Sequence, residues 1–145
     1  MVEIHELEAD RLECLLPLLS AYIREIGEGT LAEGSAGRIG EAIDNGKISF
    51  FVAEEGEMLI GTCSLSIAFS TYAGGRPWGI FEDFYIVPER RKEGIASKLV
   101  THVFREAEKR GCSSVTVGCC KGDVPMYQHL GFDIKLGYMF ARDIG

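Results

Sequence analysis

The junction at Gly94 constrains this chain more than any other stretch, because the hydrophobic period changes there. Upstream, "WGIFEDFYIV" (78–87) is a run of β-formers. From Gly94 onward Ile95, Leu99, Val100, Val103, Phe104 and Ala107 share one helical stripe, and "KRG" (109–111) closes that helix with cations and a glycine. "SSVTVGC" (113–119) is then β-like again. Two strands joined through a helix cannot form a hairpin; they are expected as parallel neighbours linked by a right-handed crossover.

The remaining segments place that unit in a larger sheet. Val2, Ile4 and Leu7 predict a short first strand. Asp10 is expected to cap a helix carrying Leu12, Leu15, Leu16, Leu19 and Ile23, and Pro17 to bend or break it. The glycine-rich segment "GEGTLAEGSAG" leads to a second helix over 35–45 that stops at Gly46. "KISFFVAEEGEMLIGTCSLSIAF" predicts an antiparallel hairpin around "EEGE", and 78–87 continues it as a third strand of a meander. Asp123 is expected to cap a short helix with Pro125 in its first turn, ending at Gly131, and "FDIKLGYMFARDI" to form one last strand or two short ones. The order β-α-α-β-β-β-α-β-α-β predicts an α+β class built on a single mixed sheet.

At 145 residues, with a quarter of them charged and nearly half apolar, the chain is expected to be one domain over 1–145 with a self-sufficient core. The N-terminus is acidic where a signal peptide would be basic. Its longest apolar run falls far short of the roughly 20 residues of a membrane span, so a cytoplasmic protein without membrane partners is expected. Five cysteines without a C-x-x-C pair, and three histidines without partner acids at known spacing, indicate neither a disulfide framework nor a metal site. The net charge of −7 argues against nucleic-acid partners, whose phosphates need a positive surface. Any anion site must therefore be local.

Such a site is visible in "VPERRKEGIASKLV" (87–100). Pro88 ends a strand, and Arg90, Arg91 and Lys92 raise the local potential. The helix start at Gly94 then exposes N–H groups where a ligand can approach the backbone closely. The amides around Lys92 to Ala96 can face one pyrophosphate.

Arg91-x-x-Gly94-x-Ala96, preceded by "FEDFYIVPE", resembles the coenzyme A signature Q/R-x-x-G-x-G/A of the GNAT N-acetyltransferase superfamily. The element order over most of the chain is similar as well. The resemblance implies that acetyl-CoA is the cosubstrate, with its pyrophosphate on Arg91, Lys92, Gly94, Ile95 and Ala96. Its pantetheine arm would lie along the strand of Phe84, Tyr85, Ile86 and Val87, with Ile86 meeting the pantetheine amides. Lys92 stands where many members carry a glycine, so a less tight turn is expected.

"MYQHLGF" (126–132) resembles the family's Y-x-x-x-G-F segment, which implies that the Tyr127 hydroxyl points at the thioester sulfur. Aminolysis of a thioester expels a thiolate, and a phenol of pKa about 10 can protonate it. Cys120 replaces an asparagine that the family often carries seven residues before this tyrosine. The amine nucleophile, of pKa about 10.4 for a lysine-like group, needs a base at neutral pH. "FEDFYIV" is similar to the segment that carries the base in polyamine-type members, and Glu82, acting through a water, is the candidate. Adjacent strand residues face opposite sides unless a bulge intervenes, so only one of Glu82 and Asp83 is expected in the cleft.

The function implied is acetyl transfer to a primary amine by direct attack in a ternary complex, without a metal. A non-catalytic acyl-CoA-binding or regulatory domain, and a protein N-acetyltransferase, are the alternatives. Glu25, Glu28, Glu33 and the Glu82–Asp83 pair suggest a small cationic acceptor. The edge of a C-terminal strand suggests a homodimer.

Overall fold

The computed structural model describes residues 1–145 and contains one five-stranded sheet, ordered β1-β2-β3-β4-β5. Its strands are β1 (Glu3–Glu6), β2 (Ile48–Glu55), β3 (Met58–Ala68), β4 (Trp78–Ile86) and β5 (Ser114–Val117). The first three pairings are antiparallel, and β4 with β5 is parallel, as the crossover predicts. The β2–β3 hairpin closes with Glu55 opposite Met58, and Gly56 supplies the positive φ of +64° that so short a turn needs.

Helices cover both faces. The α1 (Leu12–Glu25) and α2 (Ser35–Asp44) helices lie on one face; α3 (Ile95–Lys109) carries the chain from β4 to β5 across the other. Alternation along β2 shows why the sheet must be covered twice. Phe50 and Val52 pack with Leu15, Leu19 and Tyr85 on the α1 face, while Phe51 and Ala53 pack with Leu99 and Val103 on the α3 face. Burying each such Phe or Val side chain contributes roughly 1.5–3 kcal/mol. No helix is long and apolar enough to cross a membrane.

Three local expectations are corrected. Asp10 does not cap α1: it lies within a 3₁₀ turn, Ala9–Arg11, and α1 starts after Arg11 without a side-chain cap. Pro17 does not break α1, which is continuous from Leu12 to Glu25. The proline sits on the exposed side of the helix, so the carbonyl it leaves unpaired can be hydrated, while Leu15, Leu18 and Leu19 hold the helix to the sheet. Asp123 likewise lies in a 3₁₀ turn and makes no cap bond to α4 (Val124–His129).

The fourth correction is larger. The segment after Phe132 forms no strand, and none of its N–H groups reaches another backbone carbonyl. Ile134, Leu136, Tyr138, Met139 and Phe140 are all exposed. Strand propensity is expressed only against a partner, and this segment pairs with none.

Candidate active site

The parallel pairing of β4 with β5 runs only from Trp78–Ser114 to Phe81–Val117. Past Phe81 the β4 edge has no strand beside it, and α3 starts just beyond that open stretch. The slot is therefore a product of topology: β5 is four residues long, while β4 continues to Ile86.

At the end of the slot, Gly94 has φ +83° and opens α3. Lys92 also takes a left-handed φ, +68°. The less tight turn expected from a lysine is not what forms; a non-glycine residue adopts the glycine conformation instead, at a cost of roughly 1–2 kcal/mol. No N–H group from Lys92 through Ser97 donates to a backbone carbonyl or a side chain. A Cβ at Gly94 would meet nothing within 4 Å, so the approach is clear. These residues fit an anionic diphosphate. Ile95 is buried, so only its main chain could serve, whereas Lys92 is exposed and in no ion pair.

The other two cations of the loop are engaged. Arg90 pairs with Glu55 at 2.9 Å and with Glu93 at 3.0 Å. Arg91 donates from Nε to the Ile86 carbonyl at 2.8 Å and from one terminal nitrogen to Glu25 at 2.7 Å, with its guanidinium 5.4 Å from the centre of the Tyr85 ring. Val87 N–H, in the same planar peptide unit as the Ile86 carbonyl, donates to Ile60 of β3. The Ile86 carbonyl must therefore point away from β3, toward the slot.

The carboxylates sit where the β3–β4 ladder slips. Thr62 is opposite Tyr85 and Ser64 opposite Glu82, so β4 carries one extra residue against Cys63, and Asp83 has φ +56°. The bulge changes the expectation that only one acid can face the cleft. Burial, then the Asp83 and Glu82 charges, raises the pKa of Tyr22, near the end of α1. Glu82 is exposed at its side chain, and partial burial, then the neighbouring Asp83 charge, raises its pKa. Burial raises Asp83 as well, opposed by the Ser64 hydroxyl bonded to it.

Tyr127 is half-buried on α4, among Phe84 (6.2 Å) and Phe132 (5.8 Å, edge-on). Burial, then Tyr22, Asp123, Cys119 and Cys63, push its pKa up to about 12, so the phenol keeps its proton at neutral pH. Phe84 belongs to this aromatic wall, and the Ile86 side chain is buried in the core; Val87 is half-buried. Sequence reasoning missed Tyr22 and Ser64. Nothing local marks a tyrosine on α1 or a serine within β3 as neighbours of residues 82 and 83. No group of three or more His, Cys, Asp or Glu residues is arranged to hold a metal.

An open stretch of strand edge that ends in free amides at a helix start can take a phosphate-bearing ligand against the main chain. Residues 8–132 match the profile of the acetyltransferase (GNAT) family, and the chain belongs to that family of enzymes. It is 30% identical over 74 residues to the glucosamine 6-phosphate N-acetyltransferase of Trypanosoma brucei brucei, covering 51% of this chain and 50% of that protein. The match thus spans about half the length of that curated relative. Among solved structures, an acetyltransferase of Trypanosoma brucei superposes with a TM-score of 0.79 at 24% identity, covering 98% of this chain and 99% of that one. The glucosamine-6-phosphate N-acetyltransferase of Arabidopsis thaliana gives 0.80 at 18%, covering 100% and 99%. A predicted acetyltransferase of Clostridium acetobutylicum, solved with acetyl-CoA, gives 0.83 at 18%, covering 98% and 96%.

Proposed function

We propose that the protein transfers an acetyl group from acetyl-CoA to a primary amine of a small cationic molecule, by direct attack in a ternary complex. The observation that carries this is the run of free N–H groups from Lys92 to Ser97 at the mouth of the open β4 edge. The main chain of Lys92, Gly94, Ile95 and Ala96, with the Arg91 and Lys92 side chains, would hold the diphosphate, and the edge of Phe84, Ile86 and Val87 the pantetheine arm. Acetyl-CoA supplies an acyl group already activated as a thioester; no metal is called for.

Glu82 takes the proton of the incoming ammonium through a water, and its raised pKa makes it a stronger proton acceptor than an unperturbed carboxylate. Tyr127 keeps its proton until the thiolate departs and then donates it. The Glu82–Asp83 pair favours an ammonium and repels an acceptor phosphate, so the acceptor named for the glucosamine 6-phosphate enzymes is not the one favoured here. The acidic chain suits a cytoplasmic enzyme that engages neither nucleic acid nor membrane. A homodimer is part of the proposal, with a second copy as occupant of the β5 edge. That edge lacks a neighbour, and residues 133–145 of each copy are a β-forming segment lacking a sheet. Sedimentation showing only monomer would remove that part.

The deciding experiment is a screen of primary amines with acetyl-CoA, following free thiol release. Turnover of polyamines or cationic amino compounds is expected. Activity confined to neutral or anionic acceptors would overturn the acceptor class, and no coenzyme A binding at millimolar ligand would overturn the whole.

A further inference from the structure

The Arg91 guanidinium is held by three groups at once: the Ile86 carbonyl of β4, Glu25 at the last position of α1, and the Tyr85 ring. The first two matter to different parts of the reaction proposed above. The Ile86 oxygen faces the slot in which the pantetheine arm would lie, so Arg91 now occupies an acceptor that the arm would need. Glu25 sits where α1 passes into the glycine-rich segment, on the same helix as Tyr22, whose phenol is near enough to Glu82 and Asp83 to feel their charge. A lone carboxylate at a helix C-terminus is unfavourable, because the unpaired carbonyls there are also negative. Glu25 has no partner other than Arg91.

We propose that Glu25 is a positioning residue that orders the two substrates. It parks Arg91 against Ile86, and the arriving cofactor draws the guanidinium to its diphosphate. Glu25 is thereby left as an uncompensated carboxylate for the cationic acceptor. This rests on the Lys92–Ser97 loop being the diphosphate site. A diphosphate, with one negative charge on each of two adjacent phosphates, outbids a single half-exposed carboxylate for a guanidinium, so the exchange runs in that direction. Cofactor bound first then strengthens acceptor binding, and the coupling is reciprocal.

The test is calorimetric titration of coenzyme A into wild type, Glu25→Gln, Arg91→Ala, the double variant and Glu89→Gln. The last removes a nearby exposed charge that makes no ion pair with Arg91. Glu25→Gln is expected to bind coenzyme A about two- to five-fold more tightly, the range for one half-exposed ion pair. The gain should vanish in the Arg91→Ala background and exceed that of Glu89→Gln. In steady state the same variant should show a raised KM for the acceptor, an opposite sign that a purely structural defect would not give. Unchanged or weaker coenzyme A binding in Glu25→Gln overturns the proposal, as does an equal gain without Arg91 or in Glu89→Gln. If wild type binds no coenzyme A, the diphosphate site itself is wrong and the proposal goes with it; wild-type binding with an inert Glu25 condemns the positioning role alone.

Discussion

Ser64 Oγ donates a 2.6 Å hydrogen bond to Asp83 Oδ2 across the irregular step of the β3–β4 ladder. The extra residue at that step also explains why Phe81 and Phe84, three apart on a strand, pack on the same face with ring centres 5.4 Å apart. In a regular strand they would face opposite sides. One bulge thus turns an acid toward the α1 face while keeping the aromatic wall that supports Tyr127.

Asp83 sets the first expectation, a pH-dependent one. Its pKa in the folded protein is raised, chiefly by burial. The fold gains from its protonated form, and that contribution is full below the unfolded value near 4 and lost as pH rises through the folded value. Asp83→Asn keeps a residue that tolerates positive φ and removes the charge. It should raise stability at pH 7–8, with the difference closing toward pH 4. Thermal melts across that range would show it; a gain that persists unchanged in acid would contradict the burial argument.

Replacing Tyr127 with Phe keeps the packing against Phe84 and Phe132 and removes only the hydroxyl. A fall in kcat of about 10²–10⁴ is expected, the range for loss of a positioned acid, with coenzyme A affinity nearly unchanged. Because the phenol titrates only at about 12, its ionisation should leave no inflection in the wild-type rate profile below about pH 11. Undiminished turnover would dismiss Tyr127 as the acid.

Lys92 holds a left-handed conformation without being glycine. Lys92→Gly should relieve about 1 kcal/mol of backbone cost and raise Tm by about 2–4 °C, less whatever the freer unfolded chain takes back. It should also weaken coenzyme A binding modestly, since the loop's unpaired cation is lost. Calorimetry and a melting curve separate the two effects.

Gly61 lies opposite Ile86, and a Cβ there would come within 2.7 Å of the Ile86 side chain and 3.3 Å of Leu99. Gly61→Ala should cost about 1–3 kcal/mol through overpacking. By displacing Ile86 it should also disturb the slot, so that coenzyme A binding falls alongside stability. Equal stability of the two proteins would show that Ile86 can simply turn aside.

The sheet strands, the crossover helix and the loop at Gly94 were legible because each is written in local periodicity and in where glycine and proline fall. Pro17 misled because a proline breaks a helix only where the lost bond is not replaced, and its exposed side lets water replace it. The segment from Ile134 to Phe140 misled for the opposite reason: its β-forming residues were visible, its lack of a partner strand was not.

What the chain spells out on its own is chemistry carried by neighbours in sequence: the free amides from Lys92 onward, the phenol at Tyr127, the acids at Glu82 and Asp83. Folding in three dimensions decided which distant groups answer them. Ser64 meets Asp83, Tyr22 comes near enough to feel the acid pair, and Glu25 holds Arg91 away from its expected duty. Such pairings depend on strand register and helix docking, which are set by burial across the whole sheet and leave no mark in any local window.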